Sequence, residues 1–589
     1  MTGTAGASVP APSVPATEAA AALLAGLLSH GVRDLVLSPG SRSQALALEA
    51  TALARAGALR VHVRIDERVA AFTALGIARE SGAPVAVLCT SGTAAAGFLP
   101  ATMEAFHAGV PLLLLTADRP PELRGIGANQ ATAQPGMFAA WVRFATDAPV
   151  PGDAGPEAFT DLAAAAVSAA VGADGTGIAG VAGPVHLNLP FRAPLSGGRG
   201  AGDGPEHGGP GAQSVPETTP HGPVPNIARE PSFALPRGPR TVVIAGADAG
   251  ADAEELAHAG GWPLIAEVVS GARFGRQIVH GYRGLLLDPL LGGRIERAVV
   301  YGHPTLSREV PALIARPDVE VVVVHRGGEL LDLGRAERPA RGVAAVSVEA
   351  GAPDREWLGE WMRASAAAAA TASAAIGDVP PPDVDGLGST DVATRRDAVR
   401  AELAAVRRPI DRAVLVDAVW RATWPHDRLV FGSSRLVRVA DALLGGKRVP
   451  VHANRGLAGI DGTIATATGI ALASQAAGAP GATRLLLGDL AFLHDVGALL
   501  LPADEPAPRL QVIVGNDGGG TIFDGLEVAD SAPQADLDRA FYTPQSVGLE
   551  HLAAAYGWEY RRVATRSALD QALTAPLTGP QLIEVPLPR

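Results

Sequence analysis

With 589 residues, of which 47% are apolar and only 4% aromatic, the chain is too long for one hydrophobic core. It has to build about two to four domains packed chiefly by Leu, Val, Ala and Ile. A formal charge of −12 with scattered basic residues argues against nucleic acid or an anionic membrane as the main partner.

The N-terminal segment carries no basic residue ahead of its apolar part, unlike a signal peptide. From about Glu18 onward helices and strands alternate. Apolar strands are expected at Leu35–Leu37, Val61–Ile65, Val85–Cys89 and Pro111–Leu115. Each ends in a polar turn: Ser38-Pro39-Gly40-Ser41, Asp66-Glu67-Arg68, Thr90-Ser91-Gly92-Thr93 and Thr116-Ala117-Asp118-Arg119. Such alternation predicts a parallel sheet covered on both faces, with ligands at the carboxyl ends of its strands. Cys89, the only cysteine, reads as a buried inert thiol, and its solitude excludes disulfides within the chain and multi-cysteine metal sites. His186 reads as a structural histidine.

Residues 196–235 are rich in Gly, Pro and polar side chains and are expected to be a linker. A second α/β pattern occupies 236–365. Its turn Gly246–Gly250 is similar to a dinucleotide-binding loop but lacks the third glycine. Residues 366–408, rich in Ala, Pro and Asp, are expected to be a second linker; the Ala-rich run within them is too short and interrupted to span a bilayer. A third α/β unit, 409–589, carries strands at Leu429–Phe431, Arg484–Leu487 and Leu510–Val514. The expectation is three doubly wound α/β domains with parallel sheets, in a cytoplasmic protein without an integral membrane segment.

Two constellations carry chemistry. Asp489 and Asn516 lie 27 positions apart, each at the end of its own apolar strand. A strand–helix–strand crossover would bring those ends together. A carboxylate, an amide oxygen and a peptide carbonyl in the Gly518 turn then suit Mg²⁺, and a helix N-terminus after Asp489 favours phosphate. Taken singly, an Asp capping a helix and an Asn in a glycine turn explain the same residues. Glu67, at a strand end among apolar neighbours, is a candidate for a raised pKa; an ion pair with Arg64 or Arg68 is the plainer alternative. Lys447 is the only lysine, so an anion site must use arginine, histidine, backbone N–H groups or a metal.

Gly488-Asp489 followed by Asn516 resembles the diphosphate-binding motif of thiamine-diphosphate enzymes, although many members have Gly-Asp-Gly and Asn-Asn where this chain has Gly-Asp-Leu and Asn-Asp. The resemblance implies that Asp489, Asn516 and the Gly518 carbonyl hold Mg²⁺ (or Mn²⁺), which holds thiamine diphosphate. It makes Glu67 the carboxyl bonded to the aminopyrimidine, catalytic in activating the cofactor, and Ile460 the wedge that keeps the cofactor bent.

Further stretches are similar to the menaquinone-biosynthesis branch of that family: Ser38–Ser43, Thr116–Glu122, Gly127–Gln130, Gly183–Arg192, Ser434–Arg438, Asn454–Gly462 and Ile522-Phe523. That branch decarboxylates 2-oxoglutarate and joins the product carbanion equivalent to isochorismate. Both substrates are dicarboxylates, which arginine's planar fork suits. The resemblance implies a substrate pocket of Ser41, Arg42, Arg119, Gln130, Ser434, Arg438 and Arg455, joined by Arg308 and walled by Ile522 and Phe523. It also implies a homodimer, or a dimer of dimers, with the cofactor between the first domain of one subunit and the third of another. A different thiamine-diphosphate decarboxylase or carboligase is the alternative. So is a degenerate sensor, which would be expected to have lost Glu67 or Asp489. In a middle domain without a cofactor of its own, Arg273, Arg276 and Arg308 are available for an anionic regulator such as a downstream aromatic acid.

Overall fold

Short runs of Val, Leu, Ile and Ala closed by Gly, Pro, Ser and Asp become strands, and the longer Ala- and Leu-rich segments between them become helices. The computed structural model describes residues 14–173, 180–197, 232–325, 327–334, 338–377 and 383–589. It divides into two units, residues 1–226 with 502–505, and residues 227–501 with 506–589.

The first unit holds β1 (Asp34–Leu37), β2 (Arg60–Val63), β3 (Val85–Cys89), β4 (Leu112–Asp118), β5 (Phe144–Asp147) and β6 (Val185–Pro190). They form one parallel sheet in the order β2-β1-β3-β4-β6-β5. Strands β1, β3, β4 and β6 are buried along their whole length, as expected of a sheet with helices on both faces. On one face, helices Pro15–Ser29 and Pro156–Val171 lay Leu23, Leu27, Phe159 and Leu162 against Leu35, Leu37, Leu113 and Leu115. With few aromatics available, the helices approach through small residues: a Cβ on Gly26 would sit 2.7 Å from that of Ala163.

The second unit contains two larger sheets. The first has β8 (Thr241–Ala245), β9 (Leu264–Ala266), β10 (Arg297–Tyr301), β11 (Glu320–Val324) and β12 (Arg341–Val343), ordered β12-β11-β10-β8-β9, while β7 (Phe233–Leu235) pairs with β13 (Val346–Val348) alongside. The other has β14 (Arg428–Phe431), β15 (Val451–His452), β16 (Thr483–Gly488), β17 (Leu510–Asn516), β18 (Glu559–Arg562) and β19 (Gln581–Pro586), ordered β15-β14-β16-β17-β19-β18. Ala247, Val268, Val269 and Leu306, from around the middle sheet, belong to the same apolar cluster as Val414, Leu415 and Val437 from the last one. That shared core joins the second and third α/β patterns in a single unit.

Two expectations are corrected. Residues 366–408 are not a structureless linker: helix Arg355–Ile376 runs through their first part, and Val384–Leu387 and Val392–Val406 are helical too. Alanine is the strongest helix former, Asp354 and Asp391 cap two of these helices, and buried Trp357 and Trp361 anchor the long one. The second strand stops at Val63 rather than Ile65, and Ile65 is 70% exposed in the turn that follows. Most of the first expected linker, 198–231, lies outside the described residues. Among the described residues no helix is long and apolar enough to cross a membrane.

Candidate active site

In the first unit the polar turns after β1, β3 and β4 meet at the carboxyl edge. Gly40 is required there, because a Cβ would fall 2.2 Å from that of Thr90. The close approach lets the Arg42 N–H donate to Thr90 Oγ1 at 3.3 Å. Arg42 Nη1 donates to the Phe191 carbonyl at 3.0 Å, while its buried Nε has no hydrogen-bond partner among the described residues. Arg119, also buried, donates from Nη1 to Ser91 Oγ. The pKa of the neighbouring Arg42 is lowered by burial and then by the Arg119 charge, with Asp118 opposing. Two neighbouring guanidiniums that repel each other make a site complementary to an anion.

Beneath them lies a hydrogen-bonded frame. Asp118 accepts from the Arg119 N–H at 2.7 Å and from Asn188 Nδ2 at 3.0 Å, and pairs with Arg124 at 3.0 Å. Asn188 also donates to Asp147, and its Oδ1 accepts from Gln134. Gln130, exposed and in the left-handed region at φ 57°, donates from Nε2 to the Ser91 carbonyl at 2.8 Å. Ser41 is exposed. His186 is fully buried against Thr116 Oγ1 and the Phe138 ring, and burial pushes its pKa down to about 3, so it is neutral.

Glu67 does not end a strand; it begins the helix Glu67–Ser81, which Asp66 caps by accepting from the Arg68 and Val69 N–H groups. It is half-buried against Gly97, where an added Cβ would fall 3.0 Å from that of Glu67. Burial and the Glu67 charge push the thiol of buried Cys89 well up. The ion pair of Glu67 with Arg64 is not formed. Arg64 instead donates to Glu505 Oε2 at 2.9 Å, and Glu505 Oε1 accepts from the Val63 N–H.

In the second unit the expected crossover is present: β16 and β17 are adjacent and parallel, with Gly488 opposite Gly515. The next pair outward is therefore Asp489, at the start of helix Asp489–His494, and Asn516, the last residue of β17. Asp489 is buried, and burial together with the Asp517 charge pushes its pKa up to about 6, against the pull of the Leu490 and Gly519 N–H groups. Asn516 Nδ2 donates to Glu584 Oε1 at 2.8 Å, and Tyr560 donates to the other Glu584 oxygen. That fixes the amide, whose Oδ1 accepts from the Gly518 N–H at 3.3 Å. Asp517 is paired with Arg412 at 2.7 Å.

Among the described residues no group of three or more His, Cys, Asp or Glu could hold a metal. A cation here would have to use the Asp489 carboxylate with amide and peptide oxygens. That donor set fits a hard divalent ion, whose charge would offset the cost of ionising the buried carboxyl.

Ser434 follows β14 and its Oγ caps helix Arg435–Leu443. It lies beside Gly488, where a Cβ would be 3.6 Å from its own. Arg438, exposed on that helix, has its pKa lowered by desolvation and then by the charges of Arg283 and Arg308. Arg308 is exposed and reaches Glu527 at 3.3 Å. Arg455 is buried and held by Thr305 and Ser433. Ile460 is 37% exposed, before the helix Thr463–Ala476. Ile522 and Phe523 are half-buried in the turn Thr521–Gly525, and Phe523 stacks edge-on against Phe541.

Arg273, expected to be available for a regulator, is not. It is 2% exposed and spent on Asp441 and on the Ala266, Asp441 and Leu444 oxygens. Sequence reasoning missed Asp441, Glu267, Asn188 and Glu584. Asp441, Glu267 and Asn188 are buried and Glu584 is half-buried; they signal nothing locally, since their partners lie far along the chain.

Comparison with known proteins supplies the wider context. Residues 17–138 match the family described as thiamine pyrophosphate enzyme, N-terminal TPP binding domain. A 2-succinyl-5-enolpyruvyl-6-hydroxy-3-cyclohexene-1-carboxylate synthase of Leifsonia xyli subsp. xyli is 54% identical over 98% of this chain and 97% of its own. Enzymes of the same name from Clavibacter michiganensis subsp. michiganensis and Mycobacterium avium are 51% and 38% identical, covering 98% and 97% of this chain and 97% and 96% of theirs. The crystal structure of benzoylformate decarboxylase from Polynucleobacter necessarius shares the fold, with a TM-score of 0.62 at 16% identity over 97% of this chain and 98% of that one.

Proposed function

Because the chain belongs to the 2-succinyl-5-enolpyruvyl-6-hydroxy-3-cyclohexene-1-carboxylate synthases, we propose that it decarboxylates 2-oxoglutarate and adds the four-carbon nucleophile to isochorismate. The products are CO₂ and the 1,4-adduct of menaquinone biosynthesis, so the enzyme is a transferase. Thiamine diphosphate, when bound, supplies the electron sink that loss of CO₂ from a 2-oxo acid requires. Asp489, Asn516 and the Gly518 carbonyl would hold Mg²⁺ or Mn²⁺ and through it the diphosphate. Glu67 would hold a proton at its carboxyl for the aminopyrimidine ring. Ile460, Ile522 and Phe523 supply apolar walls that exclude water.

The observation that carries the substrate assignment is the adjacent pair Arg42 and Arg119, with a buried Nε lacking a partner among the described residues. Dicarboxylates satisfy such a pair, and Arg438, Arg308 and Arg455 offer a second cationic surface. Ser41, Gln130 and Ser434 are the neutral donors that would set orientation.

In this reading residues 15–195 bind the pyrimidine side, 409–589 the diphosphate side, and 236–365 form the middle domain. Glu67 of one subunit serves the cofactor held by Asp489 of another. The working form is then a homodimer or dimer of dimers, acting in the cytoplasm.

The test is incubation with 2-oxoglutarate and isochorismate, with and without thiamine diphosphate and Mg²⁺, followed by mass spectrometry. The adduct should appear only with both substrates and cofactor. Loss of CO₂ without an adduct would assign the chain to a different decarboxylase.

A further inference from the structure

We propose that Thr305 and Glu267 are positioning residues that hold Arg455 for a substrate carboxylate. The inference rests on the reading above, in which Arg455 faces a dicarboxylate.

Ligands of doubly wound sheets bind in the crevice at the carboxyl ends of the strands, where the strand order reverses. In the middle sheet that place is beside β8, which lies between β9 and β10. Here the crevice is filled by the chain itself. A Cβ on Gly246, just after β8, would fall 2.0 Å from the Pro304 nitrogen. Ala247 and His303 exchange backbone hydrogen bonds of 3.0 and 2.9 Å. The loop that fills the crevice, residues 303–306, directs the N–H groups of Thr305 and Leu306 at one atom, Glu267 Oε1, at 2.8 and 2.6 Å. A carboxyl of the chain stands where such a turn would receive an anion from outside.

Glu267 is 1% exposed, and its Oε2 has no hydrogen-bond partner among the described residues. Burial and the nearby Asp441 raise its pKa, so the carboxyl is at ease protonated. Burying such a group is costly, and what it secures is the placement of Thr305. Arg455 Nε donates to Thr305 Oγ1 at 2.8 Å, Nη2 to the Thr305 carbonyl at 3.2 Å, and Nη1 to Ser433 Oγ at 3.2 Å. These bonds fix both the plane and the rotation of the guanidinium, which is what recognition of a planar carboxylate needs.

A second tie uses the neighbouring residue. The Val268 N–H donates to Asp441 at 2.9 Å, and Asp441 lies on the helix that carries Arg438. The middle sheet, whose crevice beside β8 is filled by residues 303–306, thus serves as the reference frame for arginines of the adjacent sheet.

The test is a double-mutant cycle on the holoenzyme, with KM for each substrate, kcat, and calorimetric titration of isochorismate alone. Thr305→Val keeps the branched shape and removes the acceptor. It should raise KM for at least one dicarboxylate about tenfold, the scale of one hydrogen bond to a charged group, with kcat within about threefold of wild type. Thr305→Ser should restore KM. In an Arg455→Ala background Thr305→Val should change nothing further.

Equal fold-changes with and without Arg455, or unchanged KM for both substrates in folded Thr305→Val, overturn the proposal. Should Thr305→Val not fold, Glu267→Ala carries the same cycle, and Glu267→Gln, which keeps an acceptor for both N–H groups, should behave as wild type. A wild type without turnover refutes the functional reading instead. The positioning is then read from water exchange of the Arg455 Nε–H, slow in wild type and faster in Thr305→Val; equal rates overturn it.

Discussion

The carboxyl edges of the first and last sheets both present arginines at strand ends, but they hold them by different means. In the first unit the frame is built around an amide: Asn188 joins Asp118, Asp147 and Gln134, and the buried histidine beside it is neutral. In the second unit the frame is built around carboxyls: Asp441 takes Arg273, Arg283, Tyr282 and the Val268 N–H, and Glu267 lies close enough to feel its charge. An amide hub divides the cost of burial among several partners, each modest. A carboxyl hub concentrates it, binding more tightly when paired and failing harder when one partner is removed.

The largest expected effects separate the chemistry of the two edges. Glu67→Gln should lose about 10²–10⁴-fold in turnover, the usual worth of a positioned acid–base group, while calorimetry still shows cofactor binding. Asp489→Ala should lose Mg²⁺-dependent binding of thiamine diphosphate in the same titration. Co-expressed hybrids of these two variants, isolated with two tags, should regain about half of wild-type activity if sites are shared between subunits. Activity no higher than either parent would place both halves of the site in one chain.

The hubs themselves come next. Asp441→Ala leaves two arginines without their buried partner and should cost about 3–5 kcal/mol in a denaturant titration. Asn188→Ala should cost about 1–3 kcal/mol. A reversed order would break the contrast drawn between them.

The smallest effects are in pH dependence. The folded state holds a proton on Glu267 more tightly than the unfolded chain does, so stability is lost as pH rises above the ordinary value of 4.5 toward the raised one. Burial raises the Glu267 pKa first and the Asp441 charge second, against the opposing Leu306 and Thr305 N–H groups and Arg455. Glu267→Gln should flatten that decline in thermal melts across pH. In the first unit His62, between Asp34 and Glu505, is also raised, and its contribution is intact below 6.5 and lost as pH rises through the folded value. His62→Gln should remove only that later phase.

The strand ends of the candidate site were legible because the polar residues follow apolar runs directly. Asp489 and Asn516 could be paired from sequence, since a crossover of that length joins neighbouring parallel strands, and the register brings them opposite one another. Arg42 and Arg119 were legible for the same reason. Glu67 was misplaced: Asp66 is a helix cap, and the strand ends three residues earlier. The helices within 366–408 were hidden because alanine runs between Pro- and Asp-rich stretches read as low complexity. Asp441 and Glu267 were illegible because their partners stand 168 and 38 positions away, and no local pattern announces a contact made only by folding.

The first and last sheets share one strand permutation, second-first-third-fourth-sixth-fifth, although no repeat is visible in the sequence. Positions can therefore be transferred by strand rank and register. Gly488 faces Gly515 where the third strand of one sheet ends, as Cys89 faces Thr116 where the third strand of the other ends. The addresses that correspond to Asp489 and Asn516 are thus Thr90 and Ala117. At those two addresses the first sheet carries a buried hydroxyl and a buried methyl in place of a carboxylate and an amide, so one backbone plan presents two unlike sets of donors from the same strand ends.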